Sequence, residues 1–99
     1  MADLKTDFDD PRAPVVATEF VGTSITSQGP SRQRVDTLIA ENPHIRFANG
    51  ARRGYTLVEL TPQRCLARLR VIDSATDPHA RIRDLAAYAV EDGRPGAQQ

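Results

Sequence analysis

Large aromatic side chains are scarce in this sequence: no tryptophan, three phenylalanines and two tyrosines among 99 residues. Such rings bury roughly 150–250 Å² each and dominate core energetics. A chain this short already buries only roughly 60–70% of the surface its unfolded form exposes, so it lacks the apolar mass of a self-sufficient domain. Cysteine is nearly absent too. Cys65 is single, which excludes an internal disulfide, and it has no neighbours at zinc-ligand spacing. Within a strand-like run it is expected to be a small buried hydrophobe. The two histidines, His44 and His79, lie 35 positions apart and each adjoins a proline, too sparse a donor set for a metal site. No apolar run approaches the roughly 18–20 residues of a membrane span. The opening MADLKTDFDD is acidic and lacks an apolar stretch, so it is no secretory signal. Basic excess is also missing: thirteen Lys and Arg balance thirteen Asp and Glu, which argues against a dedicated nucleic-acid binder. Neither a nucleic-acid nor a membrane partner is expected.

Turn formers, by contrast, are plentiful, with seven prolines and six glycines. Charge is balanced overall but segregated along the chain. Residues 1–31 carry two basic and five acidic side chains, whereas residues 42–72 carry six arginines against Glu59 alone. The guanidinium fork matches oxyanions in a bidentate manner, so this stretch suits phosphate. It equally suits a solvated strand face balanced by carboxylates elsewhere. The DFDD run at Asp7–Asp10 offers alternating carboxylates, but an EF-hand loop begun at Asp7 would have Arg12 and Thr18 where glycine and glutamate are required. A solvated acidic turn is the expectation there.

Hydrophobic patterning gives the element order. Val15–Val21, VVATEFV, is apolar on both faces as a buried strand tends to be. Gly22–Pro30 is a hydroxyl-rich loop. A short helix is expected from Gln33 to Glu41, with Ser31 as N-cap and Val35, Leu38 and Ile39 on one face; Asn42-Pro43 ends it. Gly54–Leu60 and Cys65–Asp73 alternate in polarity around Thr61-Pro62-Gln63-Arg64, which predicts an antiparallel hairpin. Its second strand places Cys65, Ala67, Leu69 and Val71 on one face. Arg81–Glu91 carries both a helical set (Ile82, Leu85, Ala86, Ala89) and a strand set (Ile82, Asp84, Ala86, Tyr88, Val90); strand is favoured. Residues 92–99 hold two glycines and a proline and are expected to form a mobile tail.

The phrases VVATEFVGTSITS at Val15–Ser27 and NPHIRFANGARRGY at Asn42–Tyr55, with EDGRPG at Glu91–Gly96, resemble the last part of the alkaline phosphatase D (PhoD-like) family of metal-dependent phosphatases. The likeness runs from Ala2 to Gly96. It implies an α/β, β-rich fold: the C-terminal part of a calcineurin-like metallophosphatase α/β/β/α sandwich, with a buried strand, a short helix, a β-hairpin and an extended tail. In that family the segment matching Ala2–Lys5 follows a Gly-Asp-x-His motif that supplies metal ligands. Residues 1–99 are therefore expected to be a C-terminal segment rather than an independent domain, weakly folded or self-associating alone, and silent in catalysis. The resemblance implies iron and calcium in the parent enzyme and none held by this chain. It also implies export of the parent, under a signal upstream of Met1. The expected partner is a missing N-terminal catalytic segment or a separately encoded catalytic half, and a phosphate-ester substrate would bind only in the intact enzyme. A small non-catalytic phosphate-binding module is the other reading.

Four residues are substrate-side candidates. His44 and Arg53 belong to the matched phrases. Thr23 and Ser24 follow a buried strand, where layered α/β folds often line a ligand crevice. Each has a structural alternative: His44 bonding a backbone carbonyl, Arg53 pairing with Glu59 or Asp36, and the two hydroxyls satisfying local backbone groups. No base stands near them for nucleophilic chemistry. Tyr55 and Phe47 are expected in the core.

Overall fold

A computed structural model describes all of Met1–Gln99. Two antiparallel sheets and one helix make up the fold. The first sheet is a ribbon of β1 (Ala2–Lys5) and β2 (Val15–Glu19), with Ala2 opposite Glu19 and a bulge between Leu4 and Lys5. Helix α1 (Arg32–Glu41) follows. A four-stranded meander then runs β3 (Arg53–Leu60), β4 (Arg64–Ile72), β5 (Ile82–Glu91) and β6 (Arg94–Gln98), each strand pairing with the next. No helix is long and apolar enough to cross a membrane.

Local chemistry accounts for most of these elements. The Ser31 hydroxyl accepts from the Arg34 backbone N–H at 3.3 Å, and the Asn42 N–H donates to the Ile39 carbonyl where the helix ends. Ser31→Ala should therefore cost about 1 kcal/mol, read as a lower urea midpoint. An unchanged midpoint would mean that the helix draws nothing from its cap. Leu60 faces Cys65 across the expected turn, where the Thr61 N–H donates to the Arg64 carbonyl at 2.9 Å. The 82–91 segment is a strand, not a helix. Opposite the complementary edge of β4, its backbone gains a full ladder that outweighs the helical preference of its alanines and leucine.

Two expectations need correction. The 92–99 segment is not a loose tail but a paired strand, with Glu91 opposite Arg94 and Gly96 and Ala97 buried. Asp92-Gly93 is the reason: Gly93 takes φ +67 in the turn, and Asp-Gly is a strong hairpin signal. The strand from Val15 is also not buried on both faces. It stops at Glu19, and Val16 and Val21 stand exposed, because β2 pairs only with β1 and rests beside β6. One element was not anticipated, β1, whose Ala2 also bridges Ile45.

The core is small and lies between the ribbon, the helix and the meander. Ala2, Val35, Ala67, Val71, Tyr88 and Ala97 are buried, and the rings of Phe47 and Tyr88 meet at 6.1 Å. Cys65 is only half-buried. The molecule is a slab of 44 × 35 × 16 Å. Since packed sheets stand roughly 10 Å apart, its short axis holds no more than two layers. Its radius of gyration, 14.8 Å, exceeds the roughly 13 Å of a compact 100-residue domain.

Candidate functional site

The start of β3 and the loop after β2 meet through one side chain. Arg53 is only 8% exposed although it carries a full charge. Its Nη1 donates to the Ser24 hydroxyl and, at 2.6 Å, to the Ser27 carbonyl; its Nη2 donates to the Gly50 carbonyl. The Ser24 hydroxyl in turn donates to the Ser27 carbonyl at 2.7 Å. Next to it, the Gly54 N–H donates to the Ser24 carbonyl at 3.3 Å and the Thr23 hydroxyl to the Arg52 carbonyl at 3.1 Å. Three of the four candidates are thus one cluster, sewn between residues 22–27 and 50–54. The anticipated partners of Arg53 are elsewhere: Glu59 pairs with Arg68 and Asp36 with Arg32. Hydrogen bonds to neutral loop oxygens, 26 and 29 residues away, could not be read from charge pattern.

His44 lies apart from this cluster. Its ring packs edge-on against Phe8 at 4.7 Å, and its main-chain carbonyl accepts from the Asp3 N–H at 2.9 Å. The ring does not reach a backbone carbonyl.

The arginine-rich stretch is balanced across strands. Arg70 faces Asp84 with Nε 3.1 Å from Oδ1, Arg52 reaches Asp73 at 3.7 Å, Arg68 reaches Glu59 at 3.5 Å and Arg46 reaches Asp3 at 3.5 Å. A bulge at Leu69/Arg70 sets the register that puts Asp84 opposite Arg70. Exposed pairs of this kind each contribute at most about 1 kcal/mol, but they leave no open guanidinium cluster for an oxyanion. Asp7 and Asp10 are likewise engaged in local turns, accepting from the Asp9 and Arg12 N–H groups. Nowhere do three or more His, Cys, Asp or Glu side chains gather to hold a metal ion, so the donor set present does not fit a metal centre.

Beside the cluster opens an apolar cleft of about 320 Å³ between the ribbon, α1 and the β3–β4 hairpin. Val21, Leu38, Ile45, Phe47, Tyr55 and Leu69 line it, with Arg53 and Thr23 at its edge. Tyr55 and Phe47 both border the cleft; Phe47 also packs against buried Tyr88, whereas Tyr55 is exposed. The Met1 amine, donating to the Phe47 carbonyl at 2.8 Å, also borders it. Burial lowers that amine below its ordinary value, with the charge of Glu19 opposing the shift.

Comparison with known proteins adds three findings. A model of the family described as PhoD-like phosphatase matches residues 1–69. The alkaline phosphatase D of Bacillus subtilis (strain 168) is 36% identical over 101 aligned residues, which take in 99% of this chain and 17% of that protein. A solved structure titled "Structure of PhoD" superposes with a TM-score of 0.84 at 36% identity, covering 98% of this chain and 19% of the other. The chain therefore spans less than a fifth of the length of the relatives it matches.

Proposed function

The chain belongs to the PhoD-like phosphatase family, and from that membership we propose that its residues serve as the C-terminal framework of a metal-dependent phosphate-ester hydrolase. The match in sequence and fold, over 99% and 98% of the chain, supports this reading. The ions, iron and calcium by family resemblance, would be held by residues of a catalytic segment that this chain does not supply. Metal-assisted hydrolysis needs a held metal to activate the nucleophile and steady the phosphoryl oxygens, and the side chains here offer no such cluster. The framework's contribution is positional. Arg53, Ser24 and Thr23 set the conformation of the 22–27 loop, and the sheets and helix present a surface to the catalytic segment.

Two measurements test this. The 99-residue chain alone is expected not to hydrolyse p-nitrophenyl phosphate or bis-p-nitrophenyl phosphate, with or without added calcium and iron. Grafted in place of the matching part of the Bacillus subtilis relative, the same 99 residues should support hydrolysis of at least one of them. Metal-dependent turnover that co-purifies with the isolated chain would overturn the proposal, as would a folded, metal-loaded graft without activity.

A further inference from the structure

The apolar cleft is too large and too dry in its chemistry to be a packing defect. At about 320 Å³ it is roughly twice the ~150 Å³ cavity that accepts one benzene ring. Leu38 on the helix is 44% exposed, and Val21 and Tyr55 are exposed beside it. Three outward apolar residues, from α1, β3 and the loop after β2, therefore converge on one opening. Thr23 and the three arginines around that opening are already engaged: Thr23 with the Arg52 carbonyl, Arg52 with Asp73, Arg53 with the 22–27 loop and Gly50, Arg70 with Asp84. The remaining rim charges are of opposite sign, Glu19 and the Met1 amine, the latter donating to the Phe47 carbonyl. No guanidinium around the opening is left without a partner for a phosphate ester to take. Hydrocarbon does find a fitting surface.

Resting on the family reading above, we propose that this cleft is the seat for an apolar segment of the catalytic part of a PhoD-like phosphatase, which inserts two ring- or leucine-sized side chains between α1 and the β3–β4 hairpin. Two such side chains stand at i and i+2 on a strand, or at i and i+3 or i+4 on a helix, so one regular element can deliver both. The source of the segment follows from the relatives. The solved structure carries this fold as 19% of its chain, so about four-fifths of that chain is at hand to cover the cleft. Covalent linkage supplies that segment at an effective concentration in the millimolar range. A second copy is a poorer fit. Among the exposed apolar residues outside the cleft, Val58 and Leu60 stand near the tip of the hairpin, and inserting that tip into another molecule's cleft makes a head-to-tail contact that does not close. Val58 and Leu60 lie away from the cleft.

The Cys65, Ala67, Leu69 and Val71 face of β4 adds only part of the seat. Ala67 is 0% exposed and Val71 is buried within this chain, so much of that face is already covered by the chain's own residues; Leu69 and Val71 border the cleft.

The test compares this chain alone with the same 99 residues grafted into the Bacillus subtilis relative. In a Cys65→Ala background, Leu38→Cys is alkylated with iodoacetamide, with Arg34→Cys on the same helix but outside the cleft as control. Labelling at position 38 is expected to slow at least tenfold in the graft, while position 34 changes little. Equal rates at position 38 in the two proteins overturn the proposal. As a second measurement, Leu38→Glu should lower the melting temperature of the graft by several degrees more than that of the isolated chain; equal lowering also overturns it. Concentration-dependent assembly of the isolated chain that both Leu38→Glu and Leu60→Glu disperse would make a second copy the occupant and reject the proposal. Hydrolysis is a separate readout. A graft protected at position 38 yet inactive keeps the docking seat and rejects the functional reading, and an active graft unprotected there does the reverse.

Discussion

Arg53→Ala is expected to destabilise the isolated chain by about 3 kcal/mol, because hydrogen bonds to a charged donor contribute roughly 1.5–3 kcal/mol and stranded buried acceptors add to the loss. The guanidinium makes three bonds that join residues 24, 27 and 50, and no side chain nearby replaces it. For a domain of this size the loss corresponds to a fall in melting temperature of more than about 10 °C. Arg53→Lys should recover less than half of it, since one ammonium cannot span acceptors that the planar fork reaches together. Arg64→Ala serves as the control: Arg64 is exposed and has no carboxylate partner, and its loss should stay within about 0.5 kcal/mol. If Arg53→Ala and Arg64→Ala melt alike, the clamp is not what holds the 22–27 loop. A residue devoted to substrate phosphate predicts the opposite pattern, an unchanged melt of the isolated chain and a loss confined to turnover of the graft.

Gly54→Ala should be nearly as damaging, and for a steric reason. Gly54 sits opposite Val71 in the β3–β4 ladder, and a methyl group there would collide with the Arg70 carbonyl oxygen and lie 2.8 Å from the Val71 Cα. Both obstacles are backbone, so neither can rotate away. The two strands must part locally, which also strains the bond from the Gly54 N–H to the Ser24 carbonyl. Overpacking of this kind costs about 1–3 kcal/mol, and the upper end is expected here because the partner strand is pinned on its other side by β5. Urea unfolding of Gly54→Ala beside Gly22→Ala, where the nearest atom to an added methyl is 4.0 Å away, checks it. Equal midpoints would show that the strands tolerate the separation. Because Arg53 and Gly54 are adjacent and hold the same loop, their double variant should lose less than the sum of the two single losses.

Residue pattern alone carried the argument wherever local chemistry sets the structure. Ser31 and Asn42-Pro43 bound the helix, since a cap and a pre-proline residue act within a turn of their own position. Thr61-Pro62-Gln63-Arg64 set the hairpin, and the alternation on either side set its register. The matched phrases pointed to the family. Tertiary structure decided everything that depends on what lies across a gap. Whether Ile82–Glu91 was helix or strand turned on the edge of β4 beside it, and whether residues 94–98 were ordered turned on a partner in β5. Likewise, Arg53 could be known as a positively charged residue in a matched phrase, but not as a buried clamp. Its acceptors are a hydroxyl and two carbonyls on distant loops, and every residue has a carbonyl, so no pattern of side chains marks which ones a fold will bring together.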